Sequence, residues 1–324
     1  MKANLKGRSC LTLEEFSARE IADLLDDAST LKAEKKARTF HNRLAHRNIC
    51  LIFLKPSCRT RVAFAVAAAD EGAHVEILAK DDIRFGVKET VKDIARVLGR
   101  MFDGIAFRGF DHAAAEALAE HAGVPVWNAL SDEHHPTQAL ADMLILREEF
   151  GRLEGLKLAY VGDGRNNVVT SLAVASLKLG VELSIVAPPE LQPNGALMER
   201  LRRVGEGAPG KVTVTDDARR GLDGADAVYN DVWVSMGEEA LLETRIGQLR
   251  HLKVTSDLMA LTGKRETIYL HCLPALHDLD TEFARAHPDA REVDDDVFEG
   301  PSSRVFEQAE NRMHTIKALM VASI

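Results

Sequence analysis

A short polar segment, Ser57-Cys58-Arg59-Thr60-Arg61, has residue types that suit the binding of an anion. It follows the apolar run 49–54 and Pro56 and opens a helix-compatible stretch, so we expect strand, tight turn and helix in succession. The free N–H groups of a helix start point outward, the helix dipole favours negative charge there, and an arginine fork matches phosphate oxygens. A plain N-cap by Ser57 with arginines on the surface is the alternative interpretation.

Two further groups of residues have the chemistry to join such a site. Arg108 follows a predicted strand, and ligands of parallel α/β sheets lie beyond the carboxyl ends of strands, so we expect it to join Arg59 around one anion. A surface arginine packed along its stem is the alternative. His135 and Gln138 open a long predicted helix, where they can bind a carbonyl oxygen and an amide nitrogen together. His134 and His135 also suggest a metal pair, but the sequence offers no third ligand at a useful spacing.

Polar residues also follow the predicted strands of the C-terminal half. The turn 162–167 is like a dinucleotide-binding turn, but Asn167 stands where a third glycine is expected, and the expected acidic residue is missing. Asn167 therefore fits a polar substrate better. Asp231 offers a carboxylate to an ammonium group, and Ser235 with the Met236 backbone can hold a carboxylate, which together favours an amino-acid headgroup. An ordinary loop with an N-capping serine is the alternative.

Two residues near the C-terminus complete the candidates. Cys272 ends another predicted strand. Although His271 adjoins it, no evident histidine–acid pair makes it a nucleophile, and a buried structural cysteine is the alternative. Arg312 lies on the last predicted helix, where a buried arginine requires an anionic or carbonyl partner.

The elements that must position these residues alternate along the chain. Apolar runs of strand length alternate with helical stretches over 48–127 and again over 157–271, which is typical of βαβ units and a parallel sheet. We therefore predict an α/β protein of two domains, each with a central parallel sheet flanked by helices.

The segment Gly151 to Gly155 lies between the two series of alternating strands and helices, and we predict the domain boundary there. The predicted domains are 1–150 and 151–302, with a final helix, 303–324, packing back on the first. We also predict a first helix over 12–36, with Thr12 as N-cap and Glu15 completing a capping box.

Composition excludes several classes of protein. The net charge of −9 argues against nucleic acid as the main partner, which would favour a basic face. The four cysteines form no Cys-x-x-Cys pair and are too few for a disulfide framework, so we expect a reducing cytosol. No apolar run approaches the roughly 18 residues that a membrane span requires, and we see no signal peptide.

Taken together, these segments resemble those of ornithine carbamoyltransferases. The matching segments occur in order along nearly the whole chain: Ser57 to Arg61, His135 to Gln138, Asp231 to Gly237, His271 to Ala275 and Glu310 to Thr315. The resemblance implies two α/β domains joined by two interdomain helices. It also implies a cytoplasmic enzyme of arginine biosynthesis, a homotrimer with active sites shared between neighbours, and no metal or organic cofactor.

The resemblance further assigns roles to individual residues. The residues it implies for the phosphate of carbamoyl phosphate are Ser57, Cys58, Arg59, Thr60 and Arg108. Those implied for the carbamoyl group are His135, Gln138, Arg312 and the backbone of Cys272 and Leu273. Those implied for L-ornithine are Asn167, Asp231, Ser235 and Met236. The catalytic residues among them are Arg108, His135, Cys272 and Arg312.

The loop 81–89 departs from the family pattern. The family usually has Ser-Gln-x-Gly before the Lys-Glu pair, and here Arg84 occupies the place of a glutamine that reaches into a neighbouring subunit's site. In this loop the chain resembles the isoforms that resist the antimetabolite phaseolotoxin. We therefore count Arg84 among the carbamoyl phosphate-binding residues.

Three other functions compete with this interpretation: an aspartate carbamoyltransferase, a putrescine carbamoyltransferase and a non-catalytic homologue. The Asp231 to Gly237 segment and the His271-Cys272 pair disfavour aspartate. Ser235 to Gly237 suits an α-amino acid headgroup, which putrescine lacks. The presence of Arg59, Arg108, His135 and Arg312 argues against a non-catalytic protein.

Overall fold

Two parallel sheets organise the chain in a computed structural model, which describes residues 1–83, 85–86, 88–234 and 238–324. The chain divides into two compact units. Unit 1 comprises 1–144, 170–175 and 310–324, and unit 2 comprises 145–169 and 176–309. The division falls within three helices: α5 (Pro136–Phe150), α6 (Asn167–Leu179) and α13 (Val305–Ser323).

Unit 1 is built on a four-stranded parallel sheet of order β2-β1-β3-β4. Its strands are β1 (Asn48–Phe53), β2 (His74–Ala79), β3 (Gly104–Arg108) and β4 (Val126–Leu130). The other helices of this unit are α1 (Ala18–Lys36), α2 (Cys58–Asp70), α3 (Val91–Leu98) and α4 (His112–Ala122). Apolar side chains of β1 and β3, such as Ile52 and Phe107, pack with those of α3 and α4 in one buried cluster.

Unit 2 is built on a five-stranded parallel sheet of order β7-β6-β5-β8-β9. Its strands are β5 (Lys157–Val161), β6 (Glu182–Val186), β7 (Lys211–Thr215), β8 (Ala227–Asn230) and β9 (Ile268–His271). Its remaining helices are α7 (Gly195–Val204), α8 (Ala218–Leu222), α9 (Leu242–Leu249), α10 (Ser256–Ala260), α11 (Glu282–Ala286) and α12 (Asp295–Phe298). Side chains such as Val228, Tyr269 and Leu249 form its buried core.

The predicted fold class is confirmed, since both halves contain a central parallel sheet with flanking helices. The predicted domains, with the return of 303–324 to the first, stay a prediction, because the division of the chain does not assign a substrate to either part. Among the described residues, no helix has both the length and the apolar character needed to span a membrane.

The predicted start of the first helix is wrong. The helix begins at Ala18, and Ser17 is its N-cap. The Ser17 hydroxyl accepts from the Glu20 amide, and the Glu20 carboxylate accepts from the Ser17 amide at 2.7 Å, so the capping box lies one turn later than predicted. Thr12 instead stabilises a preceding turn, in which its hydroxyl accepts from the Glu14 amide. Serine caps a helix at least as well as threonine, and the sequence analysis did not identify Ser17 as a cap.

A buried ion pair holds the end of α2 to α13. Lys317 is almost fully buried and its Nζ donates to Asp70 Oδ2 at 2.6 Å, while Lys35 Nζ of α1 donates to the same carboxylate. Burial alone would raise the pKa of Asp70, but hydrogen bonds from Lys317 and Lys35 outweigh burial and lower it.

We expect Asp70→Asn to lower the free energy of unfolding by about 3 kcal/mol, because it leaves the Lys317 ammonium buried without its counterion. The stabilisation by Asp70 should be present above its usual pKa of 3.8 and be lost as pH falls through the lower pKa of the folded state. Urea unfolding at several pH values measures both effects. Asp26→Asn is the matched control, because its pair with Lys2 is exposed, and it should change stability by less than about 1 kcal/mol. Equal effects of the two variants would contradict the role of Lys317.

Candidate active site

The predicted anion-binding segment forms the start of α2. Ser57 is the N-cap in extended conformation, and its side chain makes no capping hydrogen bond with the described residues. The first turn contains no acidic residue, Cys58 and Arg59 are exposed, and Thr60 is buried. The first amide groups of this helix are therefore not capped by their own N-cap side chain, which suits an anionic ligand.

Arg108 lies beside this helix start. It is the last residue of β3, and strand register pairs it with Phe53 at the end of β1. Its side chain is buried, and Nη1 donates to Thr60 Oγ1 at 3.4 Å. The Leu54 amide donates to the Arg108 carbonyl at 2.9 Å, which fixes the two strand ends together. Parallel pairing thus places a permanent positive charge next to the α2 N-terminus.

A second cluster in unit 1 joins three predicted residues that are distant in sequence. Arg312 of α13 is only 4% exposed, and its Nη1 donates to Gln138 Oε1 at 2.7 Å and lies 3.4 Å from His135 Nε2. Gln138 Nε2 donates in turn to Asp142 Oδ1 at 2.8 Å, one helical turn further along α5. The amide of His135 donates to Ser171 Oγ. Asp142 and Ser171 were not predicted, because nothing in the sequence distinguishes them from other helix residues.

His135 is neutral in this environment. Burial lowers its pKa well below the usual value of 6.5, and the charges of Arg312 and Arg108 lower it further. Because a guanidinium nitrogen only donates, Nε2 facing Arg312 is the acceptor and Nδ1 carries the proton. Thr137 Oγ1 lies 3.4 Å from that Nδ1 and can accept it.

A third cluster, in unit 2, contains a buried carboxylate. Asp231 follows β8 and Cys272 follows β9, and the pairing of Asn230 with His271 puts the two side by side. Cys272 Sγ donates to Asp231 Oδ1 at 2.9 Å, and Asn166 Nδ2 donates to Asp231 Oδ2 at 3.3 Å. This arrangement offers a partly compensated negative charge, of the kind that attracts an ammonium group.

The asparagine that touches this carboxylate is the neighbour of the predicted one. Asn167 is the half-buried first residue of α6, whereas Asn166 is its N-cap, accepts from the Val169 amide and contacts Asp231. The sequence could have indicated Asn166, because asparagine is a preferred residue at the start of a helix. The predicted residues Arg84, Ser235 and Met236 lie outside the described residues.

The turn after Cys272 is held by a buried pair that the sequence analysis did not identify. Leu273 adopts a left-handed conformation with φ of 59°, and its amide donates to His271 Nδ1 at 2.9 Å. The Nε2 atom of the same histidine lies 3.3 Å from Glu292 Oε1, which also accepts from the Leu276 amide. Burial raises the pKa of Glu292, while His271 opposes that rise. The pair therefore fixes the backbone of Cys272 and Leu273, an arrangement that offsets the cost of an uncommon φ.

Two groups of side chains have the donor types for a metal ion. The donor atoms of Asp231, His271 and Cys272 lie within 4.8 Å of one another, and so do those of His277, Asp278 and Asp295. The first set would suit zinc, but its thiol and carboxylate already bond to each other and the Nδ1 of His271 accepts from Leu273. Within the described ranges, no such group includes His134 or His135.

Comparison with known proteins matches both halves of the chain to models of one family. Residues 8–148 match the family "Aspartate/ornithine carbamoyltransferase, carbamoyl-P binding domain", and residues 154–323 match "Aspartate/ornithine carbamoyltransferase, Asp/Orn binding domain". The chain is 56% identical to the phaseolotoxin-insensitive ornithine carbamoyltransferase 2 of Pseudomonas syringae pv. actinidiae, over 99% of this chain and 98% of that protein. It is 50% identical to a catabolic ornithine carbamoyltransferase of Bacillus licheniformis, over 99% and 97% of the two chains.

Solved structures give the same result. The ornithine carbamoyltransferase from Pyrococcus furiosus superposes with a TM-score of 0.91 at 38% identity, over 99% of this chain and 98% of that one. The resemblance predicted from the sequence segments is thus confirmed over the full chain. The chain belongs to the aspartate/ornithine carbamoyltransferase family.

Proposed function

We propose that the protein is an ornithine carbamoyltransferase, which converts carbamoyl phosphate and L-ornithine to L-citrulline and phosphate. The observation that carries the choice of acceptor is the buried carboxylate of Asp231, 9% exposed and hydrogen-bonded to Cys272. A buried carboxylate attracts an ammonium group and repels a further carboxylate. Ornithine and aspartate share the α-ammonium group, but aspartate has a second carboxylate that this negative charge would repel, so the site favours ornithine over aspartate. A citrulline assay, with aspartate and putrescine as alternative acceptors, tests the proposal.

The phosphate of carbamoyl phosphate is assigned to the start of α2. Ser57, Cys58, Arg59 and Thr60 would bind it through first-turn amides and hydroxyls, and Arg108 would add a bidentate fork. Two observations on the described part of the chain support the assignment: Ser57 makes no capping hydrogen bond there, and Arg108 contacts Thr60.

The carbamoyl group is assigned to the Arg312 cluster. Gln138 Oε1 has two lone pairs, so it can accept from a carbamoyl N–H while it still accepts from Arg312. Arg312 and His135 would stabilise the carbamoyl oxygen, and the backbone of Cys272 and Leu273 would lie beside the group. Asp142 positions Gln138 through its carboxylate.

The reaction fits these residues. The neutral δ-amine of ornithine attacks the carbamoyl carbon, and negative charge develops on the carbamoyl oxygen while phosphate leaves. A preorganised donor at such an oxygen is worth about 3 kcal/mol, and holding both substrates together contributes several kcal/mol more. Phosphate can accept the proton that the amine loses, so the protein need not supply a strong base.

The ornithine headgroup is assigned to Asp231 together with Asn167, Ser235 and Met236. Asp231 would bind the α-ammonium group, and Ser235 with the Met236 backbone would bind the α-carboxylate. Asn166, which holds Asp231 in place, is added to this set as a positioning residue.

Assembly and location extend the same proposal. We place the protein in the cytoplasm as a homotrimer in arginine metabolism, with no metal or organic cofactor and no nucleic-acid partner. In that trimer Arg84 would reach a neighbouring subunit's site. Sedimentation analysis of the purified protein tests the trimer.

We expect Arg108→Ala to weaken carbamoyl phosphate binding by about 3 kcal/mol, roughly 100-fold in affinity, because it removes a buried charge-assisted contact. Steady-state kinetics at saturating ornithine measure the change in the KM for carbamoyl phosphate. Arg19→Ala removes the same charge from a side chain that is 91% exposed and should behave as the unmodified protein. Unchanged kinetics in Arg108→Ala would refute the assignment.

Asp231→Asn should affect the other substrate. The variant removes the carboxylate that pairs with an ammonium group, so kcat/KM for ornithine should fall by about 100-fold while carbamoyl phosphate affinity is nearly retained. Asp257→Asn, at an exposed position of α10, is the control. Equal losses for both substrates would indicate a folding defect or a wrong assignment.

We further propose that the protein withstands phaseolotoxin, because the Pseudomonas syringae relative is named a phaseolotoxin-insensitive enzyme. Arginine is longer than glutamine and permanently charged, so Arg84 would penalise bulky phosphate analogues more than carbamoyl phosphate. We expect Arg84→Gln to raise the affinity for the toxin, measured by inhibition of citrulline formation, while Lys92→Gln on α3 leaves it unchanged. Inhibition of the unmodified protein at concentrations that stop a sensitive ornithine carbamoyltransferase would show that the proposal is wrong.

A further inference from the structure

A histidine and a glutamate lie beneath the turn that follows β9. His271 is the last residue of β9, Glu292 precedes α12, and both side chains are fully buried. The amide of Leu273 donates to His271 Nδ1 at 2.9 Å, and His271 Nε2 lies 3.3 Å from Glu292 Oε1. One nitrogen of the ring therefore faces a donor and the other faces an acceptor.

These contacts select one state of the His271 ring. A backbone N–H only donates, so the Nδ1 atom that accepts from Leu273 has a lone pair and no proton. The proton of the neutral ring is then on Nε2, where the nearby Glu292 carboxylate stabilises it. A ring with protons on both nitrogens would face the Leu273 amide with a second donor. Glu292 thus keeps Nδ1 as an acceptor for the turn.

The position of Glu292 is itself fixed by several hydrogen bonds. Its Oε1 accepts from the Leu276 amide at 2.7 Å. Its backbone carbonyl accepts from the Val254 amide at 2.9 Å and from Asn230 Nδ2 at 3.0 Å. A carboxylate that is held at both its side chain and its backbone can fix the orientation of the ring beside it.

The direction of the Leu273 amide decides where the carbonyl of Cys272 points. The N–H and C=O groups of a trans peptide point in opposite directions. Because the Leu273 N–H is turned towards the buried ring of His271, the Cys272 carbonyl is turned away from that ring. Leucine rarely adopts the φ of 59° that Leu273 has, so other orientations of this peptide would compete if the contact with His271 were lost.

We propose that His271 and Glu292 are positioning residues that make the protein select an amide, because they hold the Cys272 carbonyl towards the NH2 group of the carbamoyl donor. The proposal rests on the proposed assignment of the carbamoyl group to the backbone of Cys272 and Leu273. A carbonyl oxygen accepts from an N–H group, whereas a methyl group in the same place leaves it unpaired. The pair would therefore distinguish carbamoyl phosphate from an acyl phosphate such as acetyl phosphate.

Two stable phosphonates that differ in a single group measure this selection without turnover. Phosphonoacetamide presents an NH2 group, and 2-oxopropylphosphonate presents a methyl group in its place. Isothermal titration of the full-length protein with each compound gives the preference for the amide as a ratio of two dissociation constants. We expect the unmodified protein to prefer phosphonoacetamide by at least about 100-fold.

Substitutions of the pair test which property of the ring matters. His271→Phe keeps a ring but removes the acceptor for the Leu273 amide, so it should lower the preference by about 10-fold, through weaker binding of phosphonoacetamide. His271→Asn keeps an oxygen close to the place of Nδ1 and should retain most of the preference, although its smaller side chain leaves a cavity and lowers the unfolding temperature. Glu292→Gln keeps an acceptor oxygen and should also retain the preference. His251→Phe replaces an exposed histidine and should match the unmodified protein.

The state of the ring can also be observed directly. Nitrogen NMR of protein labelled at its histidine ring nitrogens should show that His271 has its proton on Nε2 and none on Nδ1. The loss of one signal in either His271 variant identifies the residue. This measurement reports on the role of Glu292 in the unmodified protein, whatever the stability of the variants.

Four results would overturn the proposal. They are a His271 proton on Nδ1, no preference for the amide in the unmodified protein, an unchanged preference in a folded His271→Phe protein, and equal losses of affinity for the two phosphonates in that variant. The last result would show that the pair only supports the fold. The citrulline assay of the unmodified protein decides the proposed function separately, because neither phosphonate can donate a carbamoyl group. A protein that selects the amide but forms no citrulline would keep this proposal and reject the proposed acceptor.

Discussion

The guanidinium of Arg312 is the interaction on which the carbamoyl side of the site depends. It brings a permanent charge into the interior of unit 1, where it must be satisfied by polar atoms. Gln138 provides its carbonyl oxygen, Asp142 then fixes the other end of that amide, and His135 faces the same guanidinium with a ring nitrogen. Burial lowers the pKa of His135, and the charge of Arg312 lowers it further, so His135 stays neutral. One buried arginine therefore sets the orientation of Gln138 and reinforces the neutral state of His135.

Three buried cations of unit 1 contrast with the acidic balance of the whole chain. The protein has a net charge of −9, yet Lys55, Arg108 and Arg312 are all buried in unit 1. A buried charge is screened less than a surface charge, so a few such residues decide which ligand a site prefers. The surplus of acidic residues has little influence on the buried site, so a protein with a negative net charge can still bind an anionic substrate.

Unit 2 contains a buried negative charge, the carboxylate of Asp231. Asp231 is kept partly buried, but a thiol and an amide donate to its two oxygens, so the carboxylate is stabilised without being neutralised. The neighbouring turn is equally constrained, because His271 and Glu292 hold Leu273 in a left-handed conformation. Rigid placement of both groups lowers the conformational entropy that the protein must lose when a substrate binds.

The sequence by itself determined the fold class, the family and the chemical character of the candidate residues. Apolar runs that alternate with helical stretches predict parallel sheets, because strands that are buried on both faces appear in the sequence as nearly continuous apolar runs. The motif segments identify the family because five of them occur in the same order along the chain. The sequence analysis predicted a capping box at Thr12, and only the structure showed that Ser17 caps the first helix.

Only the tertiary structure decided which residues meet. Strand register puts Arg108 beside the end of β1 and Cys272 beside Asp231, and helix packing puts Arg312 against Gln138, 174 residues away. Asp142 and Glu292 were missed for the same reason. Their roles come from burial and from partners that are distant in the chain, and neither residue type nor local spacing encodes how much water a charged group loses on folding.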